Sequence, residues 1–154
     1  MKIKSTSDAA QPNPALEPLK VLIGEWETVG KHPLFPGKIL NGRTSFKWLE
    51  GGAFLIMHSS IEQEGFPVGT AIFGSDDTIE EYAMIYFDER KVSRIYQSSL
   101  KDNVWKWWRN DPEFSQRFSC AISDDGNTII GKGEMSKNGG PWENDLDLTY
   151  TRIR

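Results

Sequence analysis

Cysteine is almost absent: Cys120 is the only one in 154 residues. One thiol can neither close an intrachain disulfide nor build a cysteine-cluster zinc site. Histidine is nearly as scarce, with His32 and His58 alone. No apolar run approaches the about 20 residues that span a bilayer as a helix. The start, "MKIKSTSDAAQPNPALEP", has two lysines but lacks the apolar core of a secretory leader. A cytoplasmic protein with no membrane partner is the expectation. Lys and Arg are scattered without a basic stripe, and the net charge is −4, which argues against nucleic acid as a partner. Neither a P-loop nor a Gly-x-Ser-x-Gly elbow occurs. Asp76-Asp77 and Asp124-Asp125 sit in turn-like stretches, at spacings that match no EF-hand loop. No repeat of 20–50 residues and no low-complexity tract appears.

What is present is aromatic and strand-like. The length suits one domain, and six Trp, eight Phe and four Tyr are a large supply of rings for it. Residues 1–13 are polar and Pro-containing and read as a disordered tail, leaving 14–154 as a barrel domain. Asn13 is a plausible N-cap with Pro14 at the first helical position, so "PALEPLKVLI" predicts a short helix limited by Pro18. After Gly24 the period changes to two, with Trp26, Thr28 and Gly30 opposite Glu25, Glu27 and Lys31. Strand-like runs follow at 38–49, 53–62, 69–75, 80–87, 91–100, 103–109, 114–122, 127–135 and 142–153. "SDD", "DERK", "KDN", "NDPE", "SDDGN" and "SKNGG" separate the later ones with turn chemistry. About ten strands, short links and no helical crossover predict an all-β, closed antiparallel up-and-down barrel. Closure also removes the exposed edges of such a meander. In 114–122, Phe114, Phe118, Cys120 and Ile122 share one face; in the last strand Leu146, Leu148 and Tyr150 oppose Asp145, Asp147 and Thr149.

Gly24-Glu25-Trp26 opens the first strand directly after the short helix, and "LTYTRIR" ends the chain with a basic residue. That arrangement resembles the calycin barrels: lipocalins, fatty-acid-binding proteins and nitrobindins. The resemblance implies that Trp26 closes one barrel end and that Arg152, from the last strand, packs over its ring. "NPALEPLKVLIGEW" is most similar to the opening segment of nitrobindins, which bind haem through a histidine near the C-terminus. Here no histidine follows His58, and Thr28 stands where that pattern continues with glycine. The expectation is therefore no firmly bound haem or metal. A nitrobindin-like haem protein, with His58 or His32 as axial ligand, is the alternative. "GRTSFKWLEGGAFLIMHS" also resembles a family of small bacterial proteins, which brings no function with it.

Inside a barrel of this size there is room for side chains and one small ligand. Alternation nominates Phe54, His58, Tyr82, Tyr86, Tyr96 and Trp107 as the lining of a ligand pocket, with strands 53–62 and 80–87 ambiguous in phase. Gln116 and Arg94 could join the tyrosines inside, Arg94 as the partner of an anionic head group. His32, in "GKHPLFPG", reads as an exposed loop histidine, and Cys120 as an inert buried thiol. The function expected is binding of a small apolar or aromatic, amphipathic ligand inside the barrel. A small barrel enzyme using His58 would also suit these residues, as would a structural or interaction role.

Overall fold

The computed structural model describes residues 12–76 and 78–154. Residues 1–11 of the expected tail, and Asp77 in one of the acidic turns, lie outside the described residues. Pro12 and Asn13 lie within them, and the Asn13 N–H donates to the Gly52 carbonyl.

Ten strands form the barrel: β1 (Gly24–Lys31), β2 (Leu40–Leu49), β3 (Phe54–Ile61), β4 (Gly69–Ser75), β5 (Tyr82–Asp88), β6 (Ser93–Lys101), β7 (Val104–Arg109), β8 (Phe114–Ile122), β9 (Thr128–Lys137) and β10 (Glu143–Arg152). Each pairs antiparallel with its chain neighbours, and β1 pairs with β10 to close the ring. Closure leaves no strand edge to aggregate. Alternation builds each strand: in β1, Trp26, Thr28 and Gly30 are buried while Glu27, Val29 and Lys31 are exposed.

The expected short helix is a 3-10 helix, Pro14–Leu22, not an α-helix. Pro18 has no N–H to donate, and its ring would crowd the carbonyl four residues back in an α-helix. The tighter winding also fits the sequence. Leu16, Leu19 and Leu22 recur every third residue, so at three residues per turn they stack on one face, and all three are fully buried. Asn13 caps the start, its side chain accepting from the Ala15 N–H at 3.0 Å.

This helix stoppers one end of the barrel. Trp26 is fully buried, and its indole N–H donates to the Leu22 carbonyl at 2.8 Å. Arg152 faces Trp26 across the β1–β10 pair and holds its guanidinium carbon 4.2 Å from the ring centroid. The same guanidinium donates to the carbonyls of Val21, Ile23 and Gly126, tying the last strand to the helix, its C-cap and the β8–β9 turn. Above this floor, Trp105 packs edge-on against Phe46 and tilted against Phe73, all three fully buried.

Candidate functional site

Inward side chains change character along the barrel axis. Near the stopper they are buried and mostly apolar, with Ser98 and Thr44 as polar members. Near the opposite end, where the β1–β2, β3–β4, β5–β6, β7–β8 and β9–β10 links gather, inward residues such as Tyr86, Arg94, Trp107, Arg109 and Gln116 are only half-buried. Inward side chains are therefore sealed from solvent at one end and partly reached by it at the other, and that second end, the mouth, is the candidate site.

Rings over glycines fill the middle. A Cβ on Gly131 would lie 2.4 Å from the Phe118 ring, and one on Gly69 would lie 2.8 Å from Tyr86. Both positions need glycine because a neighbouring ring occupies the side-chain space. Trp107 stacks on Phe118 at 4.3 Å between centroids and meets Trp105, tilted, at 4.6 Å. These rings form an aromatic floor beneath the mouth.

A chain of polar groups crosses the mouth above that floor. The Tyr96 hydroxyl donates to Gln116 Oε1 at 2.6 Å, and Gln116 Nε2 donates to Asp145 Oδ2 at 2.9 Å. His32 Nε2 lies 3.0 Å from the other oxygen of Asp145. Because the Leu34 N–H donates to His32 Nδ1, that nitrogen carries no proton, and the proton sits on Nε2 and points at Asp145. Loop rings Phe35 and Phe66 pack against His32, at 6.3 and 5.6 Å between centroids. Tyr86 meets Tyr96 edge to face and donates its hydroxyl to Asp88 at 2.8 Å. Arg90 hydrogen bonds hold the Asp88 carboxyl at a pKa of about 2. Burial, then the bond to Asp88, keeps the Tyr86 hydroxyl protonated far above its ordinary range. Burial likewise raises Tyr96.

Three arginines reach the mouth, and they differ in pairing. Arg90 pairs with Asp88 at 2.7 Å, and Arg109 lies 3.4 Å from Asp111. Arg94 has no carboxylate partner among the described residues. Its guanidinium donates to Gln116 Oε1 at 3.3 Å and lies 5.1 Å from the Phe114 ring centroid.

Of the six residues nominated from sequence, Tyr86, Tyr96 and Trp107 come together at or just below the mouth. Tyr82 also faces inward but sits at the other end of β5, near the stopper. Phe54 and His58 are corrected. Both stand on the outer wall: Phe54 is 45% exposed, and His58 is exposed with Nδ1 against Thr70 Oγ1 at 3.3 Å. Leu55 and Met57 take the inward phase of β3. Met57 pairs with the buried Phe46 of β2 and Ala71 of β4, and Leu55 pairs with the buried Phe73 of β4. His32 also departs from expectation, its side chain being 11% exposed and paired with Asp145.

Alternation placed Asp145 on the wet face of the last strand. A β-bulge between Asn144 and Asp147 inserts one residue against β9 and turns Asp145 into the mouth. Nothing in the local sequence signals this bulge.

The haem that the nitrobindin likeness implies does not fit the histidines present. An axial ligand needs a free ring nitrogen facing the cavity. His58 faces away from the interior, and both nitrogens of His32 are engaged. Two clefts lie elsewhere, on the outside of the wall. One of about 460 Å³ runs beside Trp48 and the Glu25–Arg154 ion pair, and one of about 310 Å³ lies between Val29 and Ile130. Neither opens on the polar chain of the mouth.

No family model and no curated protein matches this chain. Among solved structures, it is similar to Rv2717c from M. tuberculosis, at 18% identity over 93% of this chain and 99% of that one, with a TM-score of 0.70. It is also similar to an S-type phycobiliprotein lyase, CPES, from Guillardia theta, at 8% identity over 90% and 92% of the two chains, with a TM-score of 0.60. At such identities the likeness is one of fold alone, a closed ten-strand antiparallel barrel.

Proposed function

We propose that the protein binds a small amphipathic molecule at the barrel mouth, a flat ring system carrying an anionic group. The observation that carries this reading is Arg94: a half-buried cation on an inward face, aimed by a neutral amide and a phenyl ring rather than neutralised by a carboxylate. A guanidinium in that setting is a ready partner for a carboxylate, sulfonate or phosphate. Below it, Trp107 and Phe118 offer stacked rings as a platform for an apolar body. Tyr86 and Tyr96, kept protonated, contribute neutral hydroxyl groups at the rim of that platform. The packed middle of the barrel favours a ligand at the mouth rather than deep inside. Fold neighbours that include a phycobiliprotein lyase are in keeping with small-molecule chemistry in such a barrel. The enzyme reading loses its base with His58 on the outside, and His32, with both nitrogens engaged, does not replace it.

The test is a matched pair of fluorescent probes, anilinonaphthalene sulfonate and the neutral phenylnaphthylamine, which share their rings and differ in the anion. Wild-type protein should bind the sulfonate more tightly. Arg94→Met should weaken the sulfonate by about 10–100-fold, the worth of a charge-assisted hydrogen bond, while leaving the neutral probe within about twofold. Equal loss of both probes, or no loss of the sulfonate, would contradict the proposal.

A further inference from the structure

The outer wall is not uniform. On β1, β2 and β7–β10 the outward positions carry charge, for example Glu27, Lys47, Lys106, Arg117, Lys132 and Asp147. On β3–β6 the outward positions carry none until Lys101 at the end of β6. In their place stands a row of isoleucines in register. Ile56 pairs with Ile72, Ile72 with Ile85, and Ile85 with Ile95, across four adjacent strands. Phe54 and Phe87 flank the row. Exposure is substantial: 71% for Ile95, 46% for Phe87 and 40% for Ile85. A chain with 26% charged residues that keeps the outward positions of four strands free of charge up to Lys101 has a continuous apolar patch of the kind that marks an interaction surface.

We infer that this wall is the interface of a homodimer, formed by packing the β3–β6 face of one copy on the same face of a second. Charge permits that occupant. Each copy carries a net −4, and meeting through this face sets no fixed charge of one copy directly against a like charge of the other, so the remaining repulsion is left to salt screening. A neutral face gives no handle to a partner recognised by charge. A row of one residue type is self-complementary under a two-fold axis, which an isologous interface requires. Two such faces can pack as stacked sheets about 10 Å apart, their rows interdigitating. Because the barrel is closed, association must be face to face rather than by strand addition. Four strands by seven residues span roughly 20 by 20 Å, Phe54 and Phe87 included, and Trp108 on β7 adjoins them; that is about half of the about 800 Å² per partner of a standard interface, the size of a weak, reversible dimer.

Sedimentation equilibrium of the full chain from about 1 µM to about 1 mM, a range suited to a small, weak interface, tests the inference. The wild type should be dimeric at the upper end. Ile95→Lys should raise the dissociation constant by at least about 100-fold, because each copy then brings an unpaired charge into the apolar contact. Gln97→Glu, at an exposed polar position on the same face, should weaken it in the same direction with no threat to folding. Ile130→Lys, exposed on the opposite wall, should leave the dimer intact. Circular dichroism checks that each variant keeps its sheet. A monomer at every concentration, a dimer that survives Ile95→Lys and Gln97→Glu, or one lost equally in Ile130→Lys would overturn the assignment. So would a dimer abolished by deleting residues 1–11.

Discussion

Replacing Arg152 with methionine removes the guanidinium and keeps an unbranched stem of similar length over Trp26. In the structure that guanidinium satisfies carbonyls of Val21, Ile23 and Gly126 and stacks on the indole. A hydrogen bond to a charged group is worth about 1.5–3 kcal/mol net, and a cation over tryptophan about 0.5–2 kcal/mol. These gains share one desolvation cost, which also pulls the Arg152 pKa below its ordinary value, so they do not add in full. About 3 kcal/mol is the expected loss, a large fraction of the roughly 5–15 kcal/mol total of a domain. For a chain of this length it corresponds to a fall in Tm of about 6–12 °C. Urea unfolding followed by tryptophan fluorescence measures it, with an unchanged m-value showing that the unfolded state is not altered. Arg152→Lys should recover less than half of the loss, since an ammonium cannot reach all three carbonyls and stack at once. A loss under about 1 kcal/mol in Arg152→Met would refute the view that this side chain locks the stopper.

Gly131→Ala should destabilise by about 1–3 kcal/mol, because its Cβ collides with the Phe118 ring and the wall cannot give way; a neutral result in urea unfolding would show that Phe118 swings aside. Cys120 is fully buried, and burial raises its thiol pKa well above normal, so it should resist thiol reagents in the native protein and react once the barrel unfolds. Tyr86, Tyr96 and Tyr150 have folded-state pKa values raised chiefly by burial. Their contribution to stability is present below the unfolded tyrosine value of about 10 and is lost as pH rises through the folded values. Ultraviolet titration should therefore show tyrosinate appearing late and together with unfolding, and early ionisation of all four tyrosines would contradict the packing.

The fold was legible because ten runs of alternation and their turns leave one economical solution, and because a Trp in the first strand and an Arg in the last sit where closure pairs them. The phase of β3 was not legible. Phe54, Leu55, Ile56 and Met57 are all apolar, so periodicity cannot say which pair faces in. The reason both faces are apolar is that β3 contributes to the charge-free outer wall as well as to the core. The mouth was legible only in part. Alternation groups Tyr96 with Arg94 and Trp107 with Trp105, while the phase of 80–87, and with it that of Tyr86, is ambiguous. The pairing of His32 with Asp145 does not, since the two are 113 positions apart and the bulge that turns Asp145 inward leaves no local mark.

Six tryptophans, spread over stopper, core, mouth, rim and outer wall, make the site of binding directly observable. Indole N–H resonances of nitrogen-labelled protein, assigned by single Trp→Phe variants, can be followed while anilinonaphthalene sulfonate is added. Binding at the mouth predicts that Trp107 shifts with the occupancy of the probe, while Trp26 in the stopper, Trp48 at the rim beside it and Trp108 on the outer wall hold still. Shifts confined to Trp48 and Trp108, with Trp107 unmoved, would place the ligand outside the barrel and contradict the account of its mouth as the binding site.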